Sequence, residues 1–284
     1  MTVFVPTTLP DALVLLREVP GATLLAGGTD LMVEVNSGHR DLEHVISLDR
    51  IPALRAWTHD ATEGVVRLGS GVPYSALLAP PLDSLLPALA QASRTVGSPQ
   101  IRHVGTLGGN LGTCSPAGDT LPVLAALDAQ VHLEARSSGE RILPFSQFMV
   151  GVKRNARGPQ ELITAITLPV LRGWQGYSKV GVRNAMVIAT ASSCLAVDEQ
   201  GRNVRVALGS VGPTIIRCGE AEEWVASRID WDQGAVSSDV VSEFAQRCAT
   251  AARPIDDHRS TADYRRHAVE VLVRRQLRRA FPRG

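Results

Sequence analysis

Apolar positions along this chain fall into short clusters punctuated by glycine, proline and small polar residues. Leu9, Leu13 and Leu16 recur at helical spacing behind Pro6, with Asp11 near the positive end, and predict a short first helix. Residues 22–25 and 44–48 read as strands, with Gly27-Gly28 breaking the first and residues 31–35 continuing apolar. This is a small strand–helix–strand unit whose glycine loop lies at a strand's C-terminal end, where α/β folds commonly bind ligands. Residues 65–68 alternate as a strand. Residues 75–78 and 82–95 predict helices, the second with Leu85, Leu86, Leu89 and Ala92 on one stripe. Residues 121–127 predict a helix with Pro122 in its first turn, and residues 131–135, 143–148 and 162–168 a mainly β middle region. Composition shifts over residues 169–176. Beyond it, residues 177–180, 189–197 and 204–211 predict a three-stranded meander, with Gly201 suited to a hairpin turn. Helices over 236–252 and 262–280 follow. Ser260 is placed to cap the last, with Asp263 in the capping-box position and Tyr264, Ala268, Val271, Leu272 and Leu277 facing inward.

The 284 residues suffice for two domains or one large one. A formal net charge of +1 offers no field to recruit nucleic acid, and 4% aromatic residues leave little for a base-stacking surface. Cys114, Cys194, Cys218 and Cys248 are widely spaced and form no C-x-x-C pair, a pattern expected of reduced thiols in a cytoplasmic protein. No secretory leader and no run of membrane-spanning length is evident.

The chemistry concentrates in two glycine-rich stretches. Residues 106–119 read Thr-Leu-Gly-Gly-Asn-Leu-Gly-Thr-Cys-Ser-Pro-Ala-Gly-Asp, too interrupted for a helix or strand. Gly108 and Gly109 permit positive φ and close approach, and successive backbone N–H groups in such a turn can converge on an anion. Asn110, Thr113 and Ser115 add short polar side chains, and Asp119 a fixed acceptor. The upstream stretch, Leu25-Ala26-Gly27-Gly28-Thr29-Asp30, has the same character, and two such loops can clamp a pyrophosphate. Neither is the G-x-G-x-x-G fingerprint. Taken singly, each also fits a plain tight turn.

Together these residues resemble the FAD-binding medium subunit of the molybdenum hydroxylases, the family of xanthine dehydrogenase and carbon monoxide dehydrogenase. The resemblance runs from Val5-Pro6-Thr7-Thr8-Leu9 through Ala26-Gly27-Gly28-Thr29-Asp30-Leu31, Gln100-Ile101-Arg102, Thr106-Leu107-Gly108-Gly109-Asn110, Ser115-Pro116-Ala117-Gly118-Asp119 and Tyr177-Ser178-Lys179. It ends at Tyr264-Arg265-Arg266-His267. It implies an α+β chain. A two-subdomain FAD-binding fold of the vanillyl-alcohol oxidase/CO dehydrogenase flavoprotein type would cover residues 1–172, with subdomains of about 1–53 and 54–172. A C-terminal three-stranded sheet with helices would cover residues 173–284.

The resemblance also implies roles. Leu25, Ala26, Gly27, Gly28, Thr29, Asp30 and Leu31 would hold the FAD pyrophosphate, with Thr106, Gly108, Gly109 and Asn110 opposing them and Thr113 and Ser115 extending that side. Asp119 would hold a ribose hydroxyl, Ile163 would contact flavin or adenine, Lys179 would stand near the isoalloxazine, and Ile188 would cover a flavin face. Met186 and Val187 replace the acidic residues of many relatives, which leaves the electron acceptor open. From the residues alone, Asp119 equally suits a helix cap, Lys179 a solvated strand position and Ile188 the core. The arginines of the last helix, Arg265 among them, suit a solvated surface or a partner-facing one.

The implied function is electron transfer. FAD on this chain would take electrons from [2Fe–2S] clusters on a small partner subunit, and a large subunit would carry the molybdopterin cofactor and set the substrate. The whole would be a cytoplasmic heterohexamer of two three-subunit units. The alternative is a self-sufficient FAD-dependent oxidoreductase of the same flavin fold; a nucleotide-binding protein without redox function is a third reading.

Overall fold

The computed structural model describes residues 1–283. The chain opens with a three-stranded parallel sheet built from β1 (Thr2–Phe4), β2 (Thr23–Leu25) and β3 (His44–Ser47), in the order β1-β3-β2. The helix α1 (Leu9–Glu18) packs Ala12, Leu13 and Leu16 on this sheet, and Thr8 caps it by accepting from Asp11 N–H at 3.3 Å. The apolar run after the first glycine loop is helical: α2 (Leu31–Asn36), with no buried side chain. Strand β1 escaped the sequence pattern because three residues are too few to show a period of two.

A mixed layer follows. The helix α3 (Pro52–Arg55) leads into β4 (Trp57–Asp60) and β5 (Val65–Gly69). The single helix expected over 82–95 is divided into α4 (Leu82–Leu85) and α5 (Pro87–Thr95). The break falls at Leu86, because a residue before proline is pushed out of the helical region; its φ and ψ are −131° and 62°. Then come α6 (Pro99–Val104), α7 (Leu107–Thr113), α8 (Leu121–Ala126), β6 (Gln130–Ala135) and β7 (Gly139–Pro144). The strand expected over 143–148 stops at Pro144 and becomes one helical turn, α9 (Phe145–Phe148), which buries both phenylalanines. The small hairpin β8 (Met149–Gly151) and β9 (Arg154–Asn155) precedes β10 (Leu162–Pro169), the centre of a five-stranded sheet ordered β4-β5-β10-β6-β7.

The C-terminal sheet has the expected meander, β11 (Gln175–Val180), β12 (Ala191–Asp198) and β13 (Asn203–Gly209), all antiparallel. A fourth strand, β14 (Ile216–Arg217), extends it, again too short to leave a pattern. In the β12–β13 turn the left-handed residue is Arg202, not Gly201. The helices α10 (Gly219–Ala226), α11 (Ser238–Ala251) and α12 (Ala262–Ala280) cover this sheet, around a core that includes Leu195, Val206, Phe244, Val269 and Leu277.

Two details of α12 differ from expectation. Its cap is Thr261, which accepts from Tyr264 N–H at 3.3 Å, one residue after Ser260. Tyr264 is half exposed and Val271 only partly buried, while Arg265 turns inward. Its guanidinium donates to Thr190 O (2.7 Å) and Ser210 O (2.8 Å) and pairs with Asp257 (2.7 Å), so one arginine assigned to the surface is a core strut. A charge is tolerated there because fixed acceptors replace water.

Candidate functional site

The parallel sheet ends in the first glycine loop, directly after β2. Gly28 has a φ of 69°, in the left-handed region open to glycine. Gly27 is required for a different reason: a Cβ there would overlap the main chain of Val104. Among the described residues, no N–H from residue 26 to residue 31 meets an acceptor within the protein. A run of unpaired donors is costly unless a ligand or water satisfies it, and its concave arrangement is that of an anion nest.

The second stretch is more ordered than its composition suggests. Residues 107–113 are helical, Thr106 caps them by accepting from Gly109 N–H at 3.0 Å, and Cys114 ends them with a φ of 52°. Glycine inside a helix costs about 1 kcal/mol relative to alanine. Packing explains its presence here, since a Cβ on Gly108 would lie 2.5 Å from Ser70 Cβ. The N–H groups of Leu107 and Gly108 are already given to Val72 O (3.2 Å) and Ser70 O (2.8 Å). The expectation that both loops present free N–H groups therefore holds for residues 26–31 and not for the start of α7, where cap and neighbouring strand consume them.

Between the two stretches runs a cleft of about 1220 Å³. It exceeds the ~300–1,000 Å³ of ordinary small-ligand pockets and is of the size an extended dinucleotide needs. All of Leu25–Leu31 line it, as do Thr106, Gly108, Gly109, Asn110, Thr113, Ser115, Asp119, Ile163 and Ile188. Side chains tie its walls together: Thr113 donates to Asp30 at 3.1 Å, and Lys153 pairs with Glu34 at 2.8 Å. The Lys153 ammonium holds the Glu34 carboxyl below its usual range.

Lys179 does not line the cleft. It stands behind the wall, nine-tenths buried, its ammonium donating to Asp119 Oδ2 (2.6 Å), Val187 O (2.9 Å) and Thr95 O (3.1 Å). Asp119 is the hub of this cluster, for it also accepts from Tyr177 OH (2.9 Å) and Thr95 Oγ1 (3.0 Å). It makes no helix cap, since the residue before α8 is Thr120 and no side chain caps that helix. Burial pushes the Asp119 carboxyl up from its ordinary value, against the pull of Lys179, Tyr177 and Thr95. Cys114 is fully buried and burial pushes its thiol up to about 11, which makes it an inert packing residue. His103 is exposed on α6 and outside the cleft lining.

Sequence reasoning missed Ser47 and Asp49 just past β3, and Tyr74, Lys153 and Arg157 farther along the cleft. The first two follow the rule that located residues 26–30, the C-terminal edge of a parallel sheet. The others carried no signal, because they reach the cleft only through tertiary packing.

The cleft fits FAD by three observations: the unpaired N–H run, a glycine whose Cβ the main chain excludes, and a length of apolar lining that includes Ile101, Ile163 and Ile188. Residues 1–171 match the family described as the FAD binding domain in molybdopterin dehydrogenase, and residues 177–280 the CO dehydrogenase flavoprotein C-terminal domain. The chain is 30% identical over 270 residues to the glyceraldehyde dehydrogenase medium chain of Sulfolobus acidocaldarius, covering 94% of this chain and 93% of that one. It is 29% identical over 286 residues to the carbon monoxide dehydrogenase medium chain of Hydrogenophaga pseudoflava, covering 98% and 96%. In structure it is similar to a chain of the reconstituted CO dehydrogenase from Oligotropha carboxidovorans, with a TM-score of 0.90 at 26% identity over 100% of this chain and 98% of that one. With the fold and the cleft these matches agree on one conclusion: the chain belongs to the FAD-binding subunits of the molybdenum hydroxylases, oxidoreductases of the xanthine and CO dehydrogenase family.

Proposed function

We propose that this chain is the electron-transfer subunit of such an oxidoreductase, receiving electrons from [2Fe–2S] clusters on a small partner subunit and delivering them to an external acceptor. A large partner subunit would hold the molybdenum cofactor and choose the substrate. The relatives named medium chains support this division of labour, and we extend it to a cytoplasmic heterohexamer of two three-subunit units. Among the described residues no helix is long and apolar enough to cross a membrane.

The observation that carries the site assignment is the run of unpaired N–H groups from residue 26 to residue 31. These donors would take the FAD pyrophosphate, with the α7 wall closing the other side and Thr113 fixing Asp30 across the gap. Ile163 and Ile188 would offer apolar surface to the rings. Asp119 would meet a ribose hydroxyl only through acceptor capacity left over from Lys179, Tyr177 and Thr95. FAD, when bound, supplies the exchange of electron pairs for single electrons, and the protein contributes binding, orientation and exclusion of water.

Native purification of the chain, with a visible spectrum and iron and molybdenum analysis of what accompanies it, tests the reading. Flavin absorbance with two co-purifying chains carrying iron and molybdenum is the expected result. Flavin on a lone chain that is reduced directly by a substrate would replace it with a self-sufficient oxidoreductase.

A further inference from the structure

Residues 181–189 cross from β11 to β12 without regular structure. Their neck is closed by Thr190 N–H donating to Val180 O at 2.8 Å. Arg183 curls back on Ala185 O and Met186 O, so its bonds are internal to the segment. Met186 is left-handed, with a φ of 50°, and Val182, Met186 and Ile188 are more than half exposed. Among the described residues, the one hydrogen bond between this segment and the rest of the molecule is Lys179 Nζ to Val187 O, at 2.9 Å. Met186, Val187 and Ile188 nevertheless form part of the cleft wall.

We propose that Lys179 is a positioning residue, whose ammonium holds residues 186–188 in place against the occupant of the cleft. Its three protons meet three fixed acceptors, two in the body of the protein and one in the segment. Asp119 supplies the countercharge that keeps the ammonium in this buried place, and Thr95 O fixes its direction. Without that donor, Val187 O finds water at little cost and the segment swings on its neck. The inference rests on the FAD reading only for the identity of the occupant; the tie itself belongs to the protein alone.

Limited trypsin digestion of the purified native protein tests it. Cleavage after Arg183 reports release of the segment, and cleavage after Arg202, in the exposed β12–β13 turn, reports general loosening. The variants are Lys179→Met and the double Asp119→Asn/Lys179→Met, the second removing both charges so that neither is left unpaired if the single variant folds poorly. Loss of a hydrogen bond from a charged donor shifts a local opening equilibrium by about tenfold or more. Cleavage after Arg183 should therefore quicken by about that factor with the Arg202 rate unchanged, and bound flavin should leave faster, read by its recovered fluorescence. Arg183 cleavage at the parental rate in the folded double variant, or a rise matched at Arg202, overturns the proposal. A parent protein that binds no flavin would refute the cofactor reading instead and leave the comparison of the two cleavage sites in force.

Discussion

Asp119→Ala is the sharpest test of how the cleft wall is supported. The substitution strips the carboxylate from an ammonium 2.6 Å away, both groups being less than one-tenth exposed. Removing one partner of a buried pair typically costs about 3–5 kcal/mol, because the other charge is left without compensation. Thr95 Oγ1 still has Ala92 O at 2.8 Å, so its loss adds little, and the unpaired Lys179 dominates. Against a typical total of ~5–15 kcal/mol this is a large share. Urea unfolding of the flavin-free chain gives the readout. With a slope near ~3 kcal/mol/M the midpoint falls by about 1–2 M. The companion is Asp119→Leu with Lys179→Met. Replacing a buried pair by apolar groups is often neutral or better, so the double variant should lie within ~1 kcal/mol of the parent. A single variant that loses less than ~1 kcal/mol, or a double variant at least as unstable as the single one, would refute the account of Lys179 as a desolvated, fully engaged charge.

Other expectations follow from the same geometry. Gly27→Ala drives a Cβ into the main chain of Val104 and should abolish flavin retention; a purified variant with full flavin absorbance would contradict the close approach. Thr106→Ala removes the α7 cap and should cost ~1 kcal/mol in thermal or urea unfolding while flavin stays bound. Glu34 and Glu161 lie below their ordinary 4.5 through Lys153 and Arg141, and Asp257 below 3.8 chiefly through the N–H of Arg259. A depressed carboxylate stabilises above its unfolded pKa and loses that contribution as pH falls through the folded value, so the unfolding midpoint should be insensitive to these groups above about pH 5 and decline below about pH 4. Charge-neutral variants of all three that leave the acid limb of that curve unchanged would remove them from the explanation.

Much of this site was legible without coordinates, and the reasons differ by residue. Gly27 and Gly28 announced themselves because each answers a local demand, one steric and one conformational, that no other residue meets. Leu9, Leu13 and Leu16 marked a helix by spacing alone. The α7 stretch misled because its glycines suggest freedom, whereas the helix is held by Thr106 at its start and by Ser70 packed against Gly108, a contact across 38 positions of sequence. The partnership of Asp119 with Lys179 spans a still longer interval, from the FAD-binding part of the chain to β11, and neither residue type alone indicates burial. Arg265 shows the same limit: its place in an arginine-rich helix suggested solvent, and only the carbonyls of Thr190 and Ser210 explain why it faces inward.

Those two carbonyls matter in another way. Arg265 grips Thr190 O while Thr190 N–H closes the neck on Val180 O, so the base of the 181–189 segment is clamped independently of whatever the segment contains. The segment is thus a cassette. Its length and side chains can be exchanged, by evolution or by a protein engineer, while the β11–β12 ladder and the sheet behind it keep their register.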